Sequence, residues 1–130
     1  MRFVGLVLSF LLLSNCLGQP HLPLRPEGGI DLERLAKVKS QTICERLGGE
    51  MRSVCMMGMQ TCVVPYSDGG KSCTDSTQCM GDCWISLDRE EVTVPKLGQP
   101  TTGVCQENTD HCGCFVRVTG GKAEKGICID

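Results

Sequence analysis

The sequence predicts a small disulfide-rich α+β domain, with one N-terminal helix followed by irregular antiparallel β hairpins. Three observations point there. Ten cysteines fall between Cys44 and Cys128; apolar residues recur at helical spacing only between Asp31 and Leu47; and beyond Glu50 the segments are short, rich in Val, Thr and Cys, and bounded by Gly and Pro.

The chain opens with Met1 and Arg2, a largely apolar run from Phe3 to Leu13, and then Ser14, Asn15, Cys16, Leu17 and Gly18. A short cationic start, an apolar core and small residues at positions 16 and 18 read as a secretory signal cleaved after Gly18. The run is too short to cross a bilayer, which takes about 20 apolar residues. Cys16 would leave with the signal, turning eleven cysteines into ten. Lipidation of Cys16 is the competing reading, and Asn15 is bulkier than the residue a lipidation box places before its cysteine. Domain boundaries are therefore expected at 1–18 (signal peptide), 19–30 (flexible Pro/Gly tail, with Pro20, Pro23, Pro26 and Gly28-Gly29) and 31–130 (disulfide-rich domain).

Within the domain, Leu32, Leu35, Ala36, Ile43 and Leu47 mark one helical face, interrupted at Lys39. Asp31 is placed to cap the helix and Gly48-Gly49 to end it. Strands are expected at Gln60 to Val64, Glu91 to Val94, Gly103 to Gln106, Gly113 to Thr119 and Gly126 to Ile129. Gly120-Gly121 should turn the last two into a hairpin. In the longest of these strands, Phe115, Arg117 and Thr119 should share one face and Val116 and Val118 the other.

After loss of the signal, Trp84, Tyr66 and Phe115 are the only aromatic residues left. So little apolar area cannot offset the entropy of ordering the chain, and covalent staples must carry much of the stability. The staples expected are five disulfides among Cys44, Cys55, Cys62, Cys73, Cys79, Cys83, Cys105, Cys112, Cys114 and Cys128, which implies an oxidising, extracellular setting. Ten cysteines allow about 945 pairings, so connectivity stays open.

The run Cys44-Glu45-Arg46-Leu47-Gly48-Gly49-Glu50, then Cys62, Asp68-Gly69-Gly70-Lys71-Ser72-Cys73-Thr74-Asp75 and Cys79-Met80-Gly81-Asp82-Cys83, resembles a cysteine-rich module of uncharacterised secreted proteins, many of them bacterial. The resemblance continues through Gly103-Val104-Cys105, Gly113-Cys114 and Gly120-Gly121-Lys122-Ala123. It implies one exported domain and no particular activity.

Chemistry-bearing motifs are sparse. Formal charge is −2, so nucleic acid and anionic membranes are not expected partners. Gly70-Lys71-Ser72 lacks the upstream glycine of a phosphate loop, since Pro65 stands there. His111-Cys112-Gly113-Cys114 offers metal-ligand types, but cysteines one glycine apart suit two separate bridges better than a zinc hook. Met56, Met57 and Met59 are expected to fill gaps in the core, with an apolar or copper-binding patch as the alternative. The only histidines are His21 and His111, and the acidic run Asp88, Glu90 and Glu91 reads as a solvated loop. No enzyme, cofactor or metal is expected.

The most informative segment is the interval of twenty-one residues from Trp84 to Val104, closed at both ends by cysteines. A pinned loop binds a partner at lower ordering cost. Arg89, Lys96 and Leu97 are its candidate contact residues, against the alternative of a plain hairpin from Glu91–Val94 back to Gly103-Val104. The expected role is that of a secreted, monomeric, non-enzymatic binding protein with an extracellular protein partner. Inhibition of an extracellular enzyme and a toxin- or defence-type action are its two forms, and a structural part in the extracellular matrix is the alternative.

Overall fold

The computed structural model describes residues 21–25, 29–88 and 92–130. The helical stretch is two short helices, α1 (Leu32–Ala36) and α2 (Gln41–Arg46). The backbone N–H of Arg34 donates to Asp31 Oδ1 at 3.1 Å, the expected cap. A second cap divides the stretch, because Ser40 Oγ accepts from the Ile43 N–H at 3.4 Å and holds Ser40 in extended backbone. The break shifts the expected apolar stripe: Leu35 and Cys44 are buried in one core while Ile43 is 42% exposed. Gly48 ends α2 with φ +80°, and a Cβ on Gly49 would meet the Val63 carbonyl oxygen at 2.7 Å.

The chain then forms an antiparallel hairpin of β1 (Glu50–Val54) and β2 (Met59–Val63). Its partner layer is a six-stranded sheet of β3 (Ser72–Cys73), β4 (Cys83–Ser86), β5 (Gly103–Cys105), β6 (Gly113–Thr119), β7 (Lys122–Ala123) and β8 (Ile127–Ile129). The order is β3-β5-β4-β6-β7, with β8 also on β6, and every described pairing is antiparallel. The expected strand β6 has the bounds the alternation implied. Gly120 and Gly121, at φ +55° and +73°, make the two-residue turn into β7. The register then slips by one residue, from Val118↔Ala123 to Phe115↔Ile127, so β7 and β8 act as one return strand broken by a bulge.

The expected strand Glu91–Val94 is not formed. Glu91 lies outside the described residues, and Val92 to Val94 are irregular. The reason is edge occupancy: Val104 of β5 already faces Ser72 on one side and Trp84 on the other, leaving no free ladder for a returning hairpin arm.

All ten cysteines among the described residues are bridged: Cys44–Cys62, Cys55–Cys112, Cys73–Cys83, Cys79–Cys105 and Cys114–Cys128. Cys112 and Cys114 leave for different partners, as their one-glycine spacing implied. One core gathers Ile30, Leu35, Cys44, Cys62, Val64 and Tyr66 between the helices and the hairpin. The other consists of Cys73, Cys83, Cys105 and Val118, with Cys79 and Ile85 at its margin, so sulfur takes much of the place of aliphatic side chains. Burial, reinforced by the charge of Asp82, pushes the Tyr66 phenol above its ordinary pKa and keeps it neutral. Residues ahead of α1 also contact the body. Leu24 bridges to Ile30, Leu22 packs against the first core, and Ile30 is 3% exposed.

The two layers meet at the connection from Gln106 to Cys112. The Thr109 N–H donates to the Val64 carbonyl and the Val64 N–H to Thr109 Oγ1, both at 3.0 Å. The Tyr66 N–H donates to the Glu107 carbonyl at 2.9 Å, and Cys55–Cys112 closes the far end. Fully buried Gln106 accepts from the Asp82 N–H at 3.3 Å and donates through Nε2 to the Asp110 carbonyl at 3.0 Å.

Thr109→Val keeps the shape of this joint and leaves the Val64 N–H buried without a partner, a loss of about 1–3 kcal/mol. Urea unfolding of the oxidised protein should show that drop, while Thr109→Ser should retain most of the stability. An unchanged midpoint for Thr109→Val would show that the hydroxyl does not join the layers.

Candidate functional site

The interval from Trp84 to Val104 is held at both ends, but not by a bond between its ends. Cys83 is joined to Cys73 and Cys105 to Cys79, so both ends are tied to one short segment. That segment carries a 3₁₀ turn, Ser76–Gln78, capped by Asp75. The Sγ atoms of Cys73, Cys79 and Cys105 lie within 4.8 Å of one another. Each of these sulfurs is in a disulfide, so the group offers no thiolate to a metal while oxidised.

At its outer end the loop folds into the turn Lys96-Leu97-Gly98-Gln99. The Gln99 N–H donates to the Lys96 carbonyl at 2.9 Å, Gln99 Oε1 accepts from the Lys96 N–H at 2.9 Å, and Gly98 adopts φ +77°. Positive φ at the third residue of a hydrogen-bonded turn is the type II signature, which glycine adopts without strain. The turn is docked on β7. The Gly98 N–H donates to the Ala123 carbonyl at 2.8 Å, the Ala123 N–H to the Gln99 carbonyl at 2.9 Å, and the Thr101 N–H to the Gly121 carbonyl at 2.9 Å.

The support beneath is fixed as well. Gly120 N–H donates to Asp75 Oδ2 at 2.8 Å and Gly121 N–H to the Thr74 carbonyl at 2.7 Å, which ties the glycine turn to the disulfide-bearing segment. The Thr77 N–H, the Gly120 N–H and the Thr77 hydroxyl all favour ionised Asp75 and hold its carboxyl below the ordinary carboxylate range.

Of the three candidate contact residues, Lys96 and Leu97 stand side by side on this turn; both are exposed, Leu97 by 76%. Arg89 lies outside the described residues. The methionines correct the expectation of core filling. Met56 and Met57 are 84% and 83% exposed at the turn between β1 and β2, and Met59 is 52% exposed. Among the described methionines, Met51 is the one packed on the first core. His111 is half-buried, with Nδ1 at 3.0 Å from the Thr109 carbonyl, and the adjacent Cys112 is consumed by its bridge to Cys55.

The inner part of the interval does something the sequence left unread. Trp84 and Val104 sit opposite one another on β4 and β5, and with Val92 they wall a cleft of about 410 Å³ whose far side is the Gln106–Cys112 connection. Trp84 packs on Phe115 with ring centroids 4.6 Å apart, and the Arg117 guanidinium lies 5.8 Å above the Phe115 ring while its Nε meets Asp82 Oδ2 at 3.2 Å. Trp84 directly following Cys83 was the available signal, but its neighbours in space are distant in sequence.

Fold and site together define a small cysteine-rich α+β domain with five disulfides and modest helical content. No protein-family model, curated protein or solved structure matches the chain. Among the described residues no helix is long and apolar enough to cross a membrane.

Because Asp75 is a stronger acid in the folded chain than in the unfolded one, its contribution is present above the ordinary carboxylate pKa and lost as pH falls through the folded value. Asp75→Asn should therefore lower the melting temperature near neutrality and shrink that deficit in acid. Thermal melts between about pH 2 and pH 7 check this; a deficit that does not change with pH would remove the charge from the account.

Proposed function

We propose that this chain is a secreted, non-enzymatic binding protein that engages an extracellular protein partner through the Lys96–Gln99 turn. Blocking an extracellular enzyme is the form of action favoured. The observation that carries the reading is Leu97, 76% exposed yet fixed on a turn hydrogen-bonded to β7. An exposed apolar side chain on rigid backbone supplies contact area with little ordering cost on binding. Lys96 beside it adds a charge that selects an acidic recess.

Turn geometry also favours one manner of engagement. The Lys96 carbonyl is already bonded to the Gln99 N–H, so this segment is not an extended strand threaded into a cleft. Occlusion by the Lys96 and Leu97 side chains fits better. Secretion is supported by the signal-like start, the ten paired cysteines and the resemblance to exported cysteine-rich modules.

The test is a pull-down from extracellular fluid with the oxidised mature domain, followed by titration of the captured partner and, where it is an enzyme, of its rate. Leu97→Ala and Lys96→Ala should each weaken capture by about tenfold with unchanged melting temperature, and Arg89→Ala tests the remaining candidate. Inhibition should be stoichiometric and vanish on reduction. Full-strength capture by the Lys96→Ala, Leu97→Ala double variant would move the contact elsewhere, and turnover of a substrate by the pure protein would overturn the non-enzymatic reading.

A further inference from the structure

We propose that the cleft beside Trp84 is a binding site for a small organic ammonium ion, independent of the turn that carries the partner reading. Its volume of about 410 Å³ lies in the range of small-molecule sites. The apolar walls are Trp84, Val92 and Val104, and the polar rim is Glu107, Asn108 and Asp110. Among the described residues no lysine or arginine lines it.

The rim chooses the sign of the ligand. Among the described residues the Glu107 carboxylate makes no hydrogen bond or ion pair, so it is free to face a cation. Asp110 is partly engaged: Oδ1 accepts the Cys112 N–H at 3.0 Å and Oδ2 is 3.9 Å from Arg52 Nη2. An anion would meet two carboxylates and, among the described lining residues, no compensating cation. A neutral apolar molecule would fill the walls and leave Glu107 unpaired. An ammonium group on an apolar body answers both parts, with the indole of Trp84 contributing cation–π attraction and Glu107 the counter-charge. Arg117 is held by Asp82 and Arg52 by Asp110, so neither of these two is free to neutralise Glu107.

The cleft is also preformed. Its floor is the β4–β5 ladder. Its far wall is the connection fixed by buried Gln106, by the Tyr66–Glu107 backbone bond and by Cys55–Cys112. Little has to be ordered when a ligand enters.

Trp84 is the sole tryptophan, so its fluorescence reports the cleft directly. The oxidised protein is titrated with choline and benzyltrimethylammonium, and with 3,3-dimethylbutan-1-ol, the uncharged isostere of choline. Expected are saturable changes with the two cations, none with the alcohol, and affinity about fivefold weaker in Glu107→Gln. Glu107 is exposed, so this substitution should leave the fold intact, checked by an unchanged melting temperature. No saturable response to either cation, an equal response to the alcohol, or unchanged affinity in Glu107→Gln would overturn the proposal.

Discussion

The fold depends on how the Gln106–Cys112 connection is seated between its two β layers. Each layer is too small to stand alone: a two-stranded hairpin with two helices of six residues or fewer on one side, and a sheet of mostly two- to four-residue strands on the other. The connection supplies the shared surface. Thr109 completes the backbone bonding of Val64, Glu107 that of Tyr66, and Gln106 that of Asp82. Each is a buried or half-buried polar group that would otherwise go unpaired, so the joint is held by the cost of leaving it unmade as much as by the bonds themselves. Close approach is part of the same fit, since a Cβ on Gly81 would meet Tyr66 Cε2 at 2.7 Å and Gln106 Oε1 at 2.9 Å.

Disulfide placement follows from that arrangement. Four bridges act within a layer, closing separations of 18, 10, 26 and 14 residues. Cys55–Cys112 spans 57 and is the covalent link between the layers. In a chain-entropy account its closure restricts the unfolded chain most, by about 4 kcal/mol. It lies at the opposite end of the connection from Gln106, so covalent and hydrogen-bonded anchors hold the two ends of one segment.

Legibility in the sequence tracked how local the cause was. The caps at Asp31 and Gly48, the alternation of β6 and the Gly120-Gly121 turn are set by residues within a few positions, and all were readable. The split of the helical stretch was half readable, since the interrupted face at Lys39 is visible in the sequence while Ser40 carries no mark that sets it apart as a second cap. Strands β3 and β7, two residues each, have no periodicity to detect and exist only because β5 and β6 offer them edges. Glu91–Val94 shows the converse, strand-forming residue types with no edge to join. Lys96 and Leu97 are marked as candidates by loop length and flanking cysteines, a local signal. The cleft was not, because Trp84, Val104 and Glu107 are brought together by strand order and by the seating of the connection.

Both proposed recognition surfaces draw on the interval between Cys83 and Cys105, the cleft sharing it with the Gln106–Cys112 connection, and the architecture explains why that interval can bear them. Its end strands are fixed by Cys73–Cys83 and Cys79–Cys105, bonds that do not involve the loop's own residues. Closure entropy rises only slowly with loop length, so changing what lies between the ends costs the scaffold little. The outer turn rests on β7 through backbone groups, which leaves the side chains of Lys96 and Leu97 free of structural duty. Glu107 likewise anchors the connection through its carbonyl and leaves its carboxylate to the cleft. Backbone carries the fold at these positions and leaves the side chains to the proposed recognition, a division under which contact residues can change while the stapled frame stays the same.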